Sequence, residues 1–287
     1  MKFKTHFLGL CVLLIRLSTL GQDFEILSRN VVGLEMIHAV MEKVGTNEVE
    51  VLYRFKDGRT AKKVNQGIGT GFFIQYKGAS YIITAKHVVG DDPFADGNVI
   101  VVNKDSSRLE LPLSFARRAV PGTKWFFHPK ADVALHLYRW PDEMHIANVD
   151  FNYQLLRTNT LGLLSPVCSL GFPFGFGLGP KVSPIATECK IASWLTHVPE
   201  QNPELGFILL DKALAQGYSG APIYTLPEPF KGGALVVTPG FQPEIIGLLS
   251  GQQIDMGGGK VSLIVPASYI LEIFQSPEFI EFEKGVH

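Results

Sequence analysis

The chain has 287 residues, of which 46% are hydrophobic and 18% are charged, and this composition excludes a disordered segment and a coiled-coil rod. Lysine and arginine number 26 and aspartate and glutamate 27, which gives a formal net charge of −1 and excludes the basic surface of a nucleic-acid-binding protein. Three cysteines are too few for a disulfide framework, so the fold must rest on a hydrophobic core, which a chain of this length can bury.

The amino terminus differs in composition from the rest of the chain. Lys2 and Lys4 precede an apolar stretch from Phe7 to Gly21, which is too short to span a bilayer. A basic start, an apolar middle and small residues near the end are typical of an export signal, here residues 1–21, cleaved close to Gln22. We therefore expect a secreted or periplasmic protein without a stable membrane anchor. The alternative is an N-terminal helix that packs on the domain.

The next predicted element is a helix. After the potential cap Asn30, apolar residues recur at helical spacing, namely Leu34, Ile37, Met41 and Val44. This spacing predicts an amphipathic helix from Asn30 to Val44, within a helical segment of residues 22–45.

After Gly45 the apolar pattern changes to period two or to short apolar runs, and turn residues separate the runs. The first six predicted strands are Glu48–Phe55, Gly69–Gln75, Tyr81–Ala85, Asn98–Asn103, Lys124–Phe127 and Asp132–Trp140. A polar connection, Pro141 to Thr160, precedes six more: Val167–Gly171, Ile185–Trp194, Gly206–Leu210, Ala221–Thr225, Glu244–Ser250 and Val261–Val265. Pro266 then begins a closing helix that ends near Gln275.

Two successive sets of six strands predict an all-β fold of two six-stranded antiparallel β-barrels with short N- and C-terminal helices. A doubly wound α/β fold is excluded because the strands do not alternate with long helices. We expect the first barrel in residues 46–150, the second barrel and closing helix in residues 151–275, and a tail in residues 276–287.

Two cysteines remain once the export signal is removed. Cys168 and Cys189 lie in predicted strands that could be neighbours. They form either a disulfide or two buried free thiols, because an unpaired cysteine behaves as a small hydrophobic residue.

Three segments supply chemically competent side chains in the order histidine, aspartate, serine. His87 follows a predicted strand, Asp132 begins an apolar strand, and Ser219 lies in a glycine-flanked turn. Each has an ordinary structural explanation alone, as a surface histidine, a turn cap or a hairpin connection. Together they provide every part of an acyl-transfer site.

The chemistry of acyl transfer needs these residue types. A serine hydroxyl becomes nucleophilic when an imidazole takes its proton, and a carboxylate on the other ring nitrogen fixes the tautomer and stabilises the imidazolium. A tight turn at Gly217 would point the amides of Gly217 and Ser219 at the developing oxyanion. Each such donor is typically worth about 10²- to 10³-fold in turnover.

Five segments between Gly67 and Gln275 carry a resemblance to a known family. They are Gly69–Ile74, Thr84–Val88, Ala131–Leu135, Gly171–Gly175, and Asp211 followed by Gly217–Pro222. The chain resembles the chymotrypsin-clan (trypsin-like) serine proteases, in particular the cysteine-poor bacterial type related to the HtrA/Deg proteases. Only residues 276–287 follow Gln275, so we expect no PDZ-like module.

The resemblance implies that His87 is the general base, Asp132 its orienting partner and Ser219 the nucleophile, in a site between the two barrels. It implies an oxyanion hole formed by the amides of Gly217 and Ser219. It also implies that Ser250 supports the aspartate. The substrate-binding site would be lined by Ser250 together with Ala213, Gly251 and Gln252. A polypeptide substrate is expected, without cofactor or metal.

The sequence departs from the family pattern in places. Tyr218 replaces the usual aspartate or asparagine, so a switch that captures a new N-terminus through that aspartate cannot operate, and Ala221 replaces a usual glycine. Ala213 at the pocket floor carries no charge, which predicts a neutral, small-to-medium apolar side chain before the scissile bond. Lys260, near a possible pocket wall, would instead favour acidic residues.

The sequence does not support three other kinds of site. An α/β-hydrolase esterase needs the order serine, acid, histidine, and here only the terminal His287 follows Ser219. The glycine-rich run Gly171–Gly179 lacks the Lys-Ser/Thr ending of a phosphate loop. No metal site is predicted, because no ligand spacing is found around His128, His136 and His145. A catalytically silent protease scaffold that acts as a binding module remains the alternative.

Overall fold

The computed structural model describes residues 27–39, 41–44, 47–50, 52–54, 60–62, 64–94, 98–104, 107–139, 151–159, 161–198, 203–227, 230–231, 234–235, 241–254 and 259–286. The expected export signal, residues 1–21, lies outside these ranges. Within them, no helix has the length and apolarity required to cross a membrane.

In the described ranges, strands make up most of the regular structure. The first twelve are β1 (Val31–Ala39), β2 (Met41–Val44), β3 (Asn47–Glu50), β4 (Leu52–Arg54), β5 (Thr60–Lys62), β6 (Val64–Tyr76), β7 (Ala79–Thr84), β8 (Asn98–Lys104), β9 (Ser107–Pro112), β10 (Trp125–Phe127), β11 (Ala134–Tyr138) and β12 (Phe151–Asn152). The other eight are β13 (Pro166–Gly171), β14 (Ile185–Thr196), β15 (Phe207–Leu210), β16 (Pro222–Thr225), β17 (Phe230–Lys231), β18 (Ala234–Leu235), β19 (Ile245–Ile254) and β20 (Lys260–Pro266). The helices are short: α1 (27–30), α2 (Lys86–Val89), α3 (Ser114–Ala119), α4 (Ala267–Phe274) and α5 (Pro277–Glu283).

The second half of the chain forms a closed barrel in the order β13-β14-β15-β20-β19-β16. These six strands correspond to the six predicted from the second set of alternating segments, so that prediction is confirmed. Their neighbours along the barrel wall pair antiparallel.

The first half forms an eight-stranded sheet in the order β10-β11-β7-β6-β1-β8-β9, with β12 added in parallel to β6. A six-stranded closed barrel was expected here. In the described part of the chain the sheet does not close, because its end strands β9 and β10 do not pair with each other. Strands β6 and β7 lie in the middle of the sheet, and residues 81–84 at the end of β7 are all buried. This burial fixes the end of β7, from which the first candidate site residue follows.

The predicted helix from Asn30 to Val44 is wrong. Most of this segment is strand β1, which pairs antiparallel with β6 on one side and β8 on the other. Val32 and Leu34 are fully buried. Hydrogen bonding to two distant strands outweighs the helical spacing of the apolar residues, and the β-branched Val31 and Val32 suit a strand.

The closing helix is confirmed as α4, but the expected tail contains a further helix, α5. Its cap is Ser276, whose hydroxyl accepts a hydrogen bond from the amide of Phe279, and a proline follows the cap. The Phe279 ring is fully buried and lies edge-on to the rings of Tyr76, Phe126 and Phe274. Helix α5 therefore contributes to the core that packs against the first sheet.

Cys168 and Cys189 are buried free thiols, which is the second of the two alternatives left open by the sequence. On the paired strands Cys168 lies opposite Glu188 and Cys189 opposite Val167, so the two side chains point to opposite faces of the barrel wall. Burial raises the pKa of Cys168 to about 12 and that of Cys189 to about 11.

The two halves meet along a hydrogen-bonded seam. Asn30 is fully buried, its amide group donates to the carbonyl oxygen of Phe73 at 2.7 Å, and its amide oxygen accepts from the Tyr224 hydroxyl at 2.7 Å. Because Phe73 belongs to the first sheet and Tyr224 to the second barrel, Asn30 connects the sheet to the barrel.

Candidate active site

His87 lies on α2, the single helical turn that follows β7. The side chains of Val88 and Val89 are buried, and the helical turn ends at Gly90, which has a φ of +82°. The His87 side chain is 49% exposed, and its Nδ1 lies 2.6 Å from Oδ2 of Asp132. The backbone amide of His87 also donates to Oδ1 of Asp132 at 2.8 Å, so the carboxylate holds both the ring and the start of the helix.

Asp132 lies in the turn that leads into β11, and its side chain is 25% exposed. Besides the two groups of His87, the Ser250 hydroxyl donates to its Oδ2 at 2.6 Å. Burial disfavours the ionised form, but the hydrogen bonds and charge of His87 and the Ser250 hydroxyl outweigh it and hold the pKa of Asp132 below its ordinary value. An ionised carboxylate at this position accepts the Nδ1 proton of His87 and leaves Nε2 free to accept another.

Ser219 occupies a turn that is bonded to both halves of the molecule. Its carbonyl oxygen accepts from the amide of Thr70 in the first sheet at 2.8 Å. The next residue, Gly220, donates from its amide to the carbonyl oxygen of Leu249 in the second barrel at 2.7 Å. Leu249 directly precedes Ser250, so the serine turn and the support for Asp132 are held by the same strand.

Two glycines allow this turn to approach His87. A Cβ atom on Gly69 would lie 2.5 Å from the side chain of Val88 and 3.3 Å from the Ser219 carbonyl oxygen. A Cβ atom on Gly220 would overlap the Thr84 hydroxyl and lie 2.9 Å from the amide of Ala85, and Gly220 has a φ of +84°. These contacts place the turn of Ser219 against β6 and the residues on either side of Lys86 and His87, and His87 itself is bonded to Asp132.

The turn before Ser219 is built around Gly217, which has a φ of +99°. A Cβ atom there would overlap the carbonyl oxygen of Phe172 and lie 3.0 Å from the amide of Phe174. The carbonyl oxygen of Gly217 accepts from the Thr70 hydroxyl at 2.7 Å, and that of Gln216 accepts from the Phe174 amide at 2.7 Å. The loop that begins at Gly171 therefore braces the turn whose amides were expected to form the oxyanion hole.

Tyr218 anchors the same turn with a neutral side chain. Its buried ring lies against Gly171, where a Cβ atom would approach the ring to 2.6 Å. The hydroxyl donates to the carbonyl oxygen of Ile185 at 2.9 Å and lies 2.7 Å from the Thr187 hydroxyl. Burial raises the pKa of Tyr218 above its ordinary value, so the anchor is an uncharged phenol.

The expected substrate-binding residues lie along β19 and the segment before the serine turn. Gly251 pairs with Leu263 and Gln252 with Ser262, and a Cβ atom on Gly251 would meet no other atom within 4 Å, so open space lies beside this strand. Lys260, the predicted acidic-specificity residue, is exposed and lies opposite Ile254 at the far end of the strand pair.

Ser262 lies beside the expected pocket floor and was not predicted from the sequence. Its buried hydroxyl donates to the carbonyl oxygen of Lys212 at 2.7 Å and accepts from the amide of Leu214 at 2.9 Å. Ala213 lies between these two residues, so the serine shapes the backbone at the expected pocket floor. Ser262 lies on β20 opposite Gln252. Only this pairing could have identified it, and the sequence does not reveal the register of the two strands.

The comparisons with known proteins concern the fold. No protein-family model matches the sequence, and no curated protein matches it. The solved structure of the HtrA-type protease AlgW with a decapeptide matches with a TM-score of 0.53 and 18% identity, over 88% of this chain and 65% of that one. A variant of AlgW with a tripeptide matches with a TM-score of 0.50 and 16% identity, over 87% of this chain and 60% of that one.

This chain spans less than two thirds of the length of these two proteases. At this level of identity the similarity concerns the fold alone. The chain has the fold of the HtrA/Deg-type, trypsin-like serine proteases.

Proposed function

We propose that the protein is a serine endopeptidase that hydrolyses peptide bonds through an acyl-enzyme intermediate. The observation that carries this proposal is the carboxylate of Asp132, which receives hydrogen bonds from the amide and ring of His87 and from the hydroxyl of Ser250. The turn that carries Ser219 is held by two backbone bonds: the Thr70 amide donates to the Ser219 carbonyl oxygen, and the Gly220 amide donates to the carbonyl oxygen of Leu249, the residue before Ser250. Two peptide-bound relatives of the fold, AlgW with a decapeptide and with a tripeptide, support a polypeptide as the substrate.

In the proposed reaction, Nε2 of His87 takes the proton of the Ser219 hydroxyl while its oxygen attacks the carbonyl carbon of the scissile bond. Asp132 stabilises the imidazolium that forms. The amides of Gly217 and Ser219 donate to the oxyanion of the tetrahedral intermediate. The imidazolium then gives its proton to the leaving amine as the carbon–nitrogen bond breaks, and a water molecule hydrolyses the acyl-enzyme with His87 again as the base.

The proposed specificity is for a neutral, small-to-medium apolar side chain before the scissile bond. Ala213 offers a methyl group, and the hydroxyl of Ser262 is bonded to two backbone groups. Neither residue supplies a counter-ion for arginine or lysine. The extended segment from Ser250 to Gln252 would pair with the backbone of the acyl side of the substrate, as edge strands do with peptides.

The proposal is tested by peptidase assays on Ser219→Ala. The substitution removes the nucleophile and leaves the backbone bonds of the turn in place, so turnover should fall by about 10⁶-fold with unchanged thermal unfolding. Ser107→Ala on the exposed part of β9 is the matched control and should retain wild-type turnover. Equal turnover in the wild type and Ser219→Ala would contradict the proposal, and peptide binding without any turnover in the wild type would favour a silent binding scaffold.

A further inference from the structure

His128 is a second buried histidine near the candidate site, four residues before Asp132, and its side chain is only 5% exposed. Its Nδ1 accepts hydrogen bonds from the backbone amides of Ala131 at 2.7 Å and Lys130 at 3.2 Å. Because Nδ1 is an acceptor, the ring proton lies on Nε2 and is donated to Oε2 of Glu272 on α4 at 2.9 Å. The geometry thus defines both the tautomer and the orientation of the ring.

The imidazole closes the turn that presents Asp132. The backbone amide of His128 donates to the carbonyl oxygen of Val133 at 3.0 Å, and that of Val133 donates to the carbonyl oxygen of Ala131 at 2.8 Å. Side-chain acceptors that bind amides two and three residues ahead are usually aspartate, asparagine or serine, and here a histidine takes that part. The Ala131 amide that it holds belongs to the residue directly before Asp132.

We propose that His128 is the positioning residue of Asp132, and that the lone pair on its Nδ1 keeps the turn in the form that directs the carboxylate to His87 and Ser250. The consequence for turnover rests on the proposed peptidase function. His128 does not contact the substrate in this account; it acts through the carboxylate.

The proposal has a specific consequence for the side chains that the turn can accept. The turn needs an acceptor at the position of Nδ1, because two backbone amides donate to that atom. The side chains that contact the rest of the ring are Glu272 and Tyr269 on α4. A substitution that keeps an acceptor at the Nδ1 position should therefore keep Asp132 in place, and one that removes this acceptor should not.

Two variants of the same residue separate positioning from general packing. The amide oxygen of an asparagine lies near the position of Nδ1, whereas that of a glutamine lies near Nε2. His128→Asn should keep kcat within about threefold of wild type, while His128→Gln should lower kcat by about 10²-fold with KM unchanged, because a small misplacement of a catalytic group has an effect of this size. His197→Gln, on an exposed histidine, is the matched control and should leave both constants unchanged.

Rescue of kcat by asparagine is a readout that packing alone would not give, because asparagine is smaller than glutamine and fills less of the space of the imidazole. If His128→Gln does not fold, the ring tautomer measured by NMR, as described below, still decides the question. Equal kcat in the two His128 variants would overturn the proposal.

The failure of this inference can be told apart from failure of the peptidase proposal. Nitrogen-15 NMR of the Ser219→Ala protein reports the ring tautomers without any turnover, and we expect an unprotonated Nδ1 in His128 and a protonated Nδ1 in His87. A protonated Nδ1 in His128 at neutral pH would refute the positioning role even if the protein cleaves peptides. A wild type that cleaves no peptide but shows the expected tautomers would refute the function alone.

Discussion

Replacing Gly217 with alanine tests the proposed oxyanion hole directly. The new Cβ would overlap the carbonyl oxygen of Phe172 and lie 3.0 Å from the amide of Phe174, at a φ of +99°. The backbone of the turn must therefore move by about 1 Å, and a displacement of this size costs about 10²-fold in rate. Since the moving amide is also an expected oxyanion donor, kcat should fall by about 10²- to 10³-fold while KM changes little.

The control for this variant is Gly78→Ala. Gly78 has a φ of +85°, close to that of Gly217, but a Cβ there would meet no atom within 4 Å. Both variants should lose about 1 to 2 kcal/mol of stability from the backbone conformation, measured by urea unfolding. Only Gly217→Ala should lose turnover of an internally quenched peptide. Full turnover in Gly217→Ala would refute the assignment of this turn as the oxyanion hole.

Two further predictions follow from the contacts of the site. Ser250→Ala removes a donor to Asp132, so the pKa of Asp132 should rise toward its ordinary value. A carboxyl group whose pKa is lower in the folded state than in the unfolded state stabilises the fold at neutral pH, and this stability is lost as the pH falls through the folded-state pKa. The variant should therefore lose this stability at a higher pH than the wild type, which thermal unfolding from pH 7 to pH 2 would measure. Superimposable plots of stability against pH would contradict this prediction. Tyr218→Phe removes the phenol hydroxyl that contacts the carbonyl oxygen of Ile185 and the Thr187 hydroxyl. The free energy of unfolding should fall by about 1 to 2 kcal/mol, and kcat should change more than KM. Unchanged urea unfolding would show that the phenol does not anchor the turn.

The elements of the second barrel were predictable because each strand carries its own short apolar run between turn residues. The first sheet was less so. Strand β1 satisfies helical spacing, and only its pairing with β6 and β8, far away in the sequence, makes it a strand. Strand β9 was missed because its polar residues, such as Arg108 and Glu110, conceal the pattern, and α5 because glutamates flank its buried Phe279.

For the candidate site, the motifs predicted that His87 and Ser250 both contact Asp132, and both lie within hydrogen-bonding distance of its carboxylate. The catalytic roles of His87, Asp132 and Ser219 stay predictions. The supporting residues could not be read from the sequence. Ser262 acts through the register of β20, and His128 acts through a ring nitrogen that was considered only as a possible metal ligand. Such roles depend on hydrogen-bond geometry, which residue types and spacing do not encode.

The most direct test of the account is covalent labelling of the wild-type protein with a fluorophosphonate, followed by intact mass measurement and peptide mapping. An activated serine displaces fluoride and retains the phosphonyl group, so we expect one adduct per chain on the peptide that contains Ser219, and none in His87→Ala. An unlabelled protein, or an adduct on any other residue, would contradict the claim that His87 and Asp132 activate this hydroxyl.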